Sequence, residues 1–166
     1  MTELKKISRD AVPRAVQKAE RYRLLNQSWA TESICLDILD VDAGNQQVLI
    51  MLLLALTDQF AAETYELARR AQALMGRITD PYQRAYYGGI IHERLAHAQL
   101  AHSALQAEAM AYESLRSAMD AFERAEALRS TGNDDSILRW NTCARTLERL
   151  RMVEQAEGQY EPSFGE

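Results

Sequence analysis

"DAGNQQVLIMLLLAL", residues 42–56, is the stretch on which the fold turns. Asp42 to Asn45 make a tight turn, and Asn45 suits the N-cap of the helix that follows. Its side-chain oxygen accepts from one of the backbone N–H groups that a first helical turn leaves without partners. From Val48 to Leu56 that helix is apolar nearly all round. A helix without a polar face has to be covered on several sides. Crossing a bilayer takes about 20 apolar residues, so this run is too short for that. It is expected at the centre of a helical protein, with neighbours around it.

Outward from this segment, apolar residues recur at steps of three and four, and strand-like alternation never lasts. Start and stop signals divide the pattern into about seven helices. The first runs from about Ser8 to Leu25, with Pro13 in the opening turns, where its missing N–H costs little. Asn26, Gln27 and Ser28 form a turn, and Ser28 is expected to cap a second helix ending near Asp40. A fourth covers about Ala61 to Met75 and stops at Gly76. Asp80 as N-cap and Pro81 in the first helical position start a fifth, which reaches about His102. The sixth spans roughly Leu105 to Arg129, and the last begins after Gly132-Asn133-Asp134-Asp135. Residues 1–156 therefore read as one helical domain. Residues 157–166, "EGQYEPSFGE", lack periodicity and read as a flexible tail. Short connections make consecutive helices antiparallel, so the fold class is all-α, a stack of helix hairpins.

Small and aromatic residues recur at fixed steps within these pairs. Ala15, Ala19 and Tyr22 do so in the first helix, and Ala118, Phe122 and Ala125 in the sixth. "DAGN" ends the first pair, Asp80-Pro81 ends the middle one, and Ser130 follows the third. The pattern resembles tetratricopeptide repeats, in which small residues let two helices approach closely and large ones fill the space between hairpins. The resemblance spans most of the chain, although the first-helix Trp and Gly of that motif are largely missing. It implies a superhelical stack and a non-enzymatic scaffold whose first helices line a concave groove. Glu20 and Arg23 would come from the first helix, and Gln47, Ile50, Leu54 and Asp58 from the third. Tyr86, His92 and Leu95 would follow from the fifth, with Arg139 and Asn141 closing one end. An apolar floor with sparse polar groups suits a peptide or an amphipathic helix from another protein.

Composition narrows the alternatives. The 166 residues fit one domain able to bury a core without staples. With 24 acidic against 19 basic residues the net charge is −5, which disfavours nucleic acid as a partner. Cys35 and Cys143 lie inside apolar helical patterns and read as small buried hydrophobes rather than as a disulfide. "MTELKKISRD" carries charges without an apolar segment behind it, so the expected compartment is the cytoplasm, with no membrane partner.

Two stretches invite a site. Residues 130–145 crowd Gly132, Asn133, Asp134, Asp135, Arg139, Trp140, Asn141 and Arg145 together. Gly132 with positive φ and a cap at Asn133 or Asp134 explain much of this, and Trp140 with Ile137, Cys143 and Ala144 forms an inward stripe. Arg139, Asn141 and Arg145 remain for a carboxylate or other anion. In "YYGGIIHERLAHAQLAH", residues 86–102, two adjacent helical glycines cost about 1 kcal/mol each relative to Ala. Close approach of another helix, a kink or a ligand would offset that. His92, Glu93, His97 and His102 suggest a metal, but five-residue spacing sets the imidazoles about 140° apart around a helix. No nucleophile motif, phosphate loop or dinucleotide fingerprint occurs, so neither a cofactor nor a metal is expected, and catalysis has no support. A second expectation is a self-associating structural subunit, a homo-oligomer. Tyr160 and Phe164 in the tail would suit a peptide ligand for such a groove, though a disordered terminus is better supported.

Overall fold

The computed structural model describes residues 2–102 and 106–158, with the side chains of 62, 63 and 153–158 outside the description. Seven α-helices follow one another: α1 Val12–Leu24, α2 Ser28–Val41, α3 Gln46–Thr57, α4 Phe60–Leu74, α5 Pro81–Leu100, α6 Ala107–Leu128 and α7 Asp135–Gly158. Single 3-10 turns, Arg9–Ala11 and Met75–Arg77, precede α1 and extend α4. The class is all-α, and no strand occurs among the described residues. Each helix packs against its successor, and α3 also touches α1 and α5. Such neighbour-to-neighbour order is compatible with a helical repeat.

Local chemistry sets most of the boundaries. Asn45 Oδ1 accepts from Val48 N at 3.1 Å, and Asp80 Oδ2 accepts from Gln83 N at 2.8 Å, so both act as N-caps. The α1–α2 turn differs from expectation. Asn26 adopts φ 58°, Gln27 stands at the N-cap without a side-chain bond, and Ser28 is already helical and buried. Its burial inside the first turn takes Ser28 out of the capping position. At the other end α7 continues to Gly158, two residues into the stretch expected as a tail. Residues 159–166, with Tyr160 and Phe164, and Leu105 at the expected start of the sixth helix, lie outside the described residues.

Two apolar clusters fill the interior. One joins α1 to α4 and includes Val48, Leu49, Leu52, Leu53 and Leu56 of α3 with Ile91 of α5. The other joins Ile90 of α5 to Leu115, Met119 and Phe122 of α6 and Cys143 and Leu147 of α7. Helix α5 thus divides the core, with adjacent Ile90 and Ile91 serving opposite sides, while Leu54 and Tyr87 border both clusters. The central place expected for the apolar helix is met by α3, which contacts α1, α2, α4 and α5.

The glycine pair in α5 has an unequal explanation. A Cβ on Gly89 would stand 2.5 Å from the Phe122 ring, so glycine is what lets α5 and α6 approach this closely. A Cβ on Gly88 would meet only Met75 Cε, at 3.6 Å, an ordinary contact.

Candidate functional site

Polar groups collect where the odd-numbered helices meet. Arg94, on α5, reaches the C-terminal end of α3, where Nη1 donates to Leu54 O at 3.2 Å and also to Thr57 Oγ1 and Asp58 Oδ1. A guanidinium there complements the negative end of the helix dipole, although Leu54 O already accepts from Asp58 N and Thr57 Oγ1. Arg23 of α1 approaches the same carboxylate, with Nε 3.9 Å from Asp58 Oδ2. That Nε is buried and makes no hydrogen bond among the described residues. One position earlier on α5, Glu93 receives Arg139 Nη1 from α7 at 3.4 Å to each carboxylate oxygen.

These groups form one electrostatic unit. Burial lowers the pKa of Arg94 below the ordinary guanidinium value; Asp58 opposes that, Arg23 and Arg139 reinforce it, and Glu93 opposes it. For Arg139 burial acts in the same downward direction, but Glu93 and Tyr86 outweigh it and the pKa is raised. Arg23, Asp58, Arg94, Glu93 and Arg139 thus make a seam across α1, α3, α5 and α7, three guanidiniums to two carboxylates. Aromatic rings border it: Tyr86 stacks with Tyr82 at 5.8 Å between centroids and meets Tyr87 edge-on at 5.2 Å. Beside the seam opens a cavity of about 570 Å³ whose lining includes Asp58, Phe60, Arg94 and His97.

Of the residues singled out in the sequence, Arg23, Leu54, Asp58, Tyr86 and Arg139 are brought together here. Glu20 and Gln47 are exposed, and Ile50 packs half-buried against the first core cluster. Asn141 is half-buried, and its side chain makes no hydrogen bond among the described residues. His92 lies elsewhere, in a recess against α6, and Leu95 packs into the first cluster. Arg94 escaped the sequence reading altogether, and Glu93 entered it only as a metal ligand. His92 and His97 line separate cavities, and among the described residues no three His, Cys, Asp or Glu side chains converge as metal ligands would.

The 130–145 stretch resolves into caps and packing around Arg139. Gly132 has φ 83°, Asn133 Oδ1 accepts from Asp135 N at 3.2 Å, and Asp134 pairs with Arg129 at 3.3 Å. Trp140 packs on the second cluster and donates Nε1–H to Glu123 at 2.9 Å. Comparison with protein families, with curated proteins and with solved structures finds no match to this chain. No helix among the described residues is long and apolar enough to cross a membrane.

Proposed function

We propose that the chain is a non-enzymatic, tetratricopeptide-like scaffold that holds an acidic segment of another protein along the α1–α3–α5–α7 seam. In this reading the odd-numbered helices line a concave face in the cytoplasm. The observation that carries it is the cationic excess of the seam, and above all Arg23, whose buried Nε–H has no acceptor among the described residues. A buried donor without a partner costs free energy that an incoming carboxylate would recover. The neighbouring tyrosines offer apolar area and hydroxyls at little conformational cost, which suits peptide recognition.

The test is selection of a displayed peptide library on the purified chain. Clones enriched in Asp and Glu are expected, with affinity falling as salt rises and at least about tenfold weaker binding to Arg23→Ala. Enrichment of neutral or basic clones, or clones that bind Arg23→Ala equally well, would overturn it.

A second reading has its own support. Leu24, Leu25 and Trp29 are exposed together around the α1–α2 turn, Trp29 at 70%. Such an apolar corner suits self-association. A light-scattering mass that stays monomeric across concentration, and is unchanged by Trp29→Glu, removes this reading.

A further inference from the structure

The recess that holds His92 is unlike the rest of the surface. It is about 380 Å³, lies between α5 and α6, and is lined by Arg84, Gly88 and His92 on one side and Ala121, Arg124 and Leu128 on the other. Met75 and Pro81 close one end. Among the described residues no carboxylate lines it. The Arg124 side chain makes no hydrogen bond or ion pair among the described residues, and the His92 ring makes none either. Arg84 is held in place by Ile78 O, which accepts from its Nε at 2.9 Å and its Nη2 at 2.7 Å. The acids one turn before each arginine do not neutralise them. Asp80 is occupied by Gln83 N, and Asp120 forms no ion pair with Arg124. In a chain of net charge −5, a recess with two arginines, a histidine and no acid is a local reversal of sign.

Gly88 adds an independent observation. Glycine in a helix interior is less stable than Ala, and for Gly89 the Phe122 ring explains the choice. For Gly88 packing gives no reason, because a Cβ there would make only an ordinary contact with Met75. What a residue no larger than Ala secures is the open floor of the recess. A branched residue at this position would project into it.

We infer that this recess binds a small amphiphilic carboxylate, its head between Arg124 and His92 and its apolar body against Met75, Ala121 and Leu128. A free guanidinium matches a carboxylate in bidentate geometry. With Arg84 turned to a backbone carbonyl and most of the remaining lining apolar, a compact, multiply charged anion has too few donors here. His92 supplies an N–H in its neutral form, the form that burial and the nearby Arg124 favour. The site is separate from the seam, so its failure and that of the acidic-segment reading are read independently.

Calorimetric titration of the full chain with octanoate tests this, with octanol and inorganic phosphate as comparisons. Octanoate is expected to bind at one site, at least about tenfold more tightly than either comparison. Arg124→Gln should weaken it about tenfold. Gly88→Leu should abolish it, while Gly88→Ala keeps it. Absence of octanoate binding, equal binding of octanol or phosphate, or affinity unchanged in both Arg124→Gln and Gly88→Leu would each refute the assignment. The Arg124 Nε–H resonance of the unmutated protein gives a readout that does not depend on variants folding. It should shift on saturation, and a stationary resonance contradicts the site.

Discussion

Glu93 and Arg139 join α5 to α7 through a pair that is unequal in burial: Glu93 is 3% exposed and the arginine side chain 42%. Among the described residues the carboxylate depends on that one partner across the interface. Removing the arginine strands a buried charge, whereas removing both groups leaves an apolar contact. Arg139→Ala is expected to lower stability by about 2 kcal/mol, a figure below that for fully buried pairs because the arginine is partly solvated. The double change Glu93→Leu, Arg139→Leu should recover most of the loss. Urea denaturation measures both, and an Arg139→Ala protein as stable as the original would contradict the role given to the pair.

Gly88 and Gly89 should respond to alanine with opposite signs. At position 88 the new methyl has room, and better helix propensity is expected to raise stability by up to about 1 kcal/mol. At position 89 it meets the fully buried Phe122 ring, and overpacking of about 1–3 kcal/mol outweighs the propensity gain. Thermal melts of the two variants decide this. Two changes of the same sign would mean that α5 and α6 are not packed as described.

The all-α class and the order of the helices were legible because local chemistry encodes them. Asn45, Asp80-Pro81 and Gly132 mark boundaries without any knowledge of tertiary contacts, and the apolar girth of α3 announces its burial. The seam was only half legible. Its charged residues are joined across tens of positions, Asp58 to Arg94 over 36. The 34-residue step of the motif that the sequence resembles points from Asp58 to His92, two residues short of the partner the structure gives, Arg94. Two residues around a helix is more than half a turn, which sends His92 to the α6 side. The Arg139–Glu93 pair spans 46 positions, and nothing in either segment alone selects the other. The unequal roles of the two glycines were equally hidden, since they depend on where Phe122 packs.

His92 gives a pH dependence with a definite sign. Burial and the Arg124 charge lower its pKa below the ordinary value of 6.5. The unfolded chain therefore binds more protons than the folded one just below that value, and stability rises with pH there. The contribution is complete above about pH 6.5 and is lost as pH falls through the depressed folded-state value. Melting temperatures measured from neutral to mildly acidic pH should fall less steeply for His92→Gln than for the original chain. Parallel profiles would show that His92 does not titrate as its surroundings require.

Both thiols should be inert in the folded protein. Burial, helped by Glu32, pushes the Cys35 thiol up to about 12. Burial and Glu93 push Cys143 to about 12, against a smaller opposing effect of Arg139. Since the thiolate is the reactive form, iodoacetamide at neutral pH should modify neither cysteine until denaturant is added. Stoichiometric labelling of native protein, read by mass spectrometry, would show that one of these helices opens readily.

The most direct measurement is an NMR titration of the arginine Nε–H resonances of Arg23, Arg94 and Arg139 with an acidic peptide recovered from the library. Arg23, whose buried donor has no acceptor among the described residues, is expected to move farthest, with Arg94 and Arg139 following as the seam rearranges around the added carboxylate. Saturable peptide binding that leaves all three resonances in place would contradict the seam as the recognition surface.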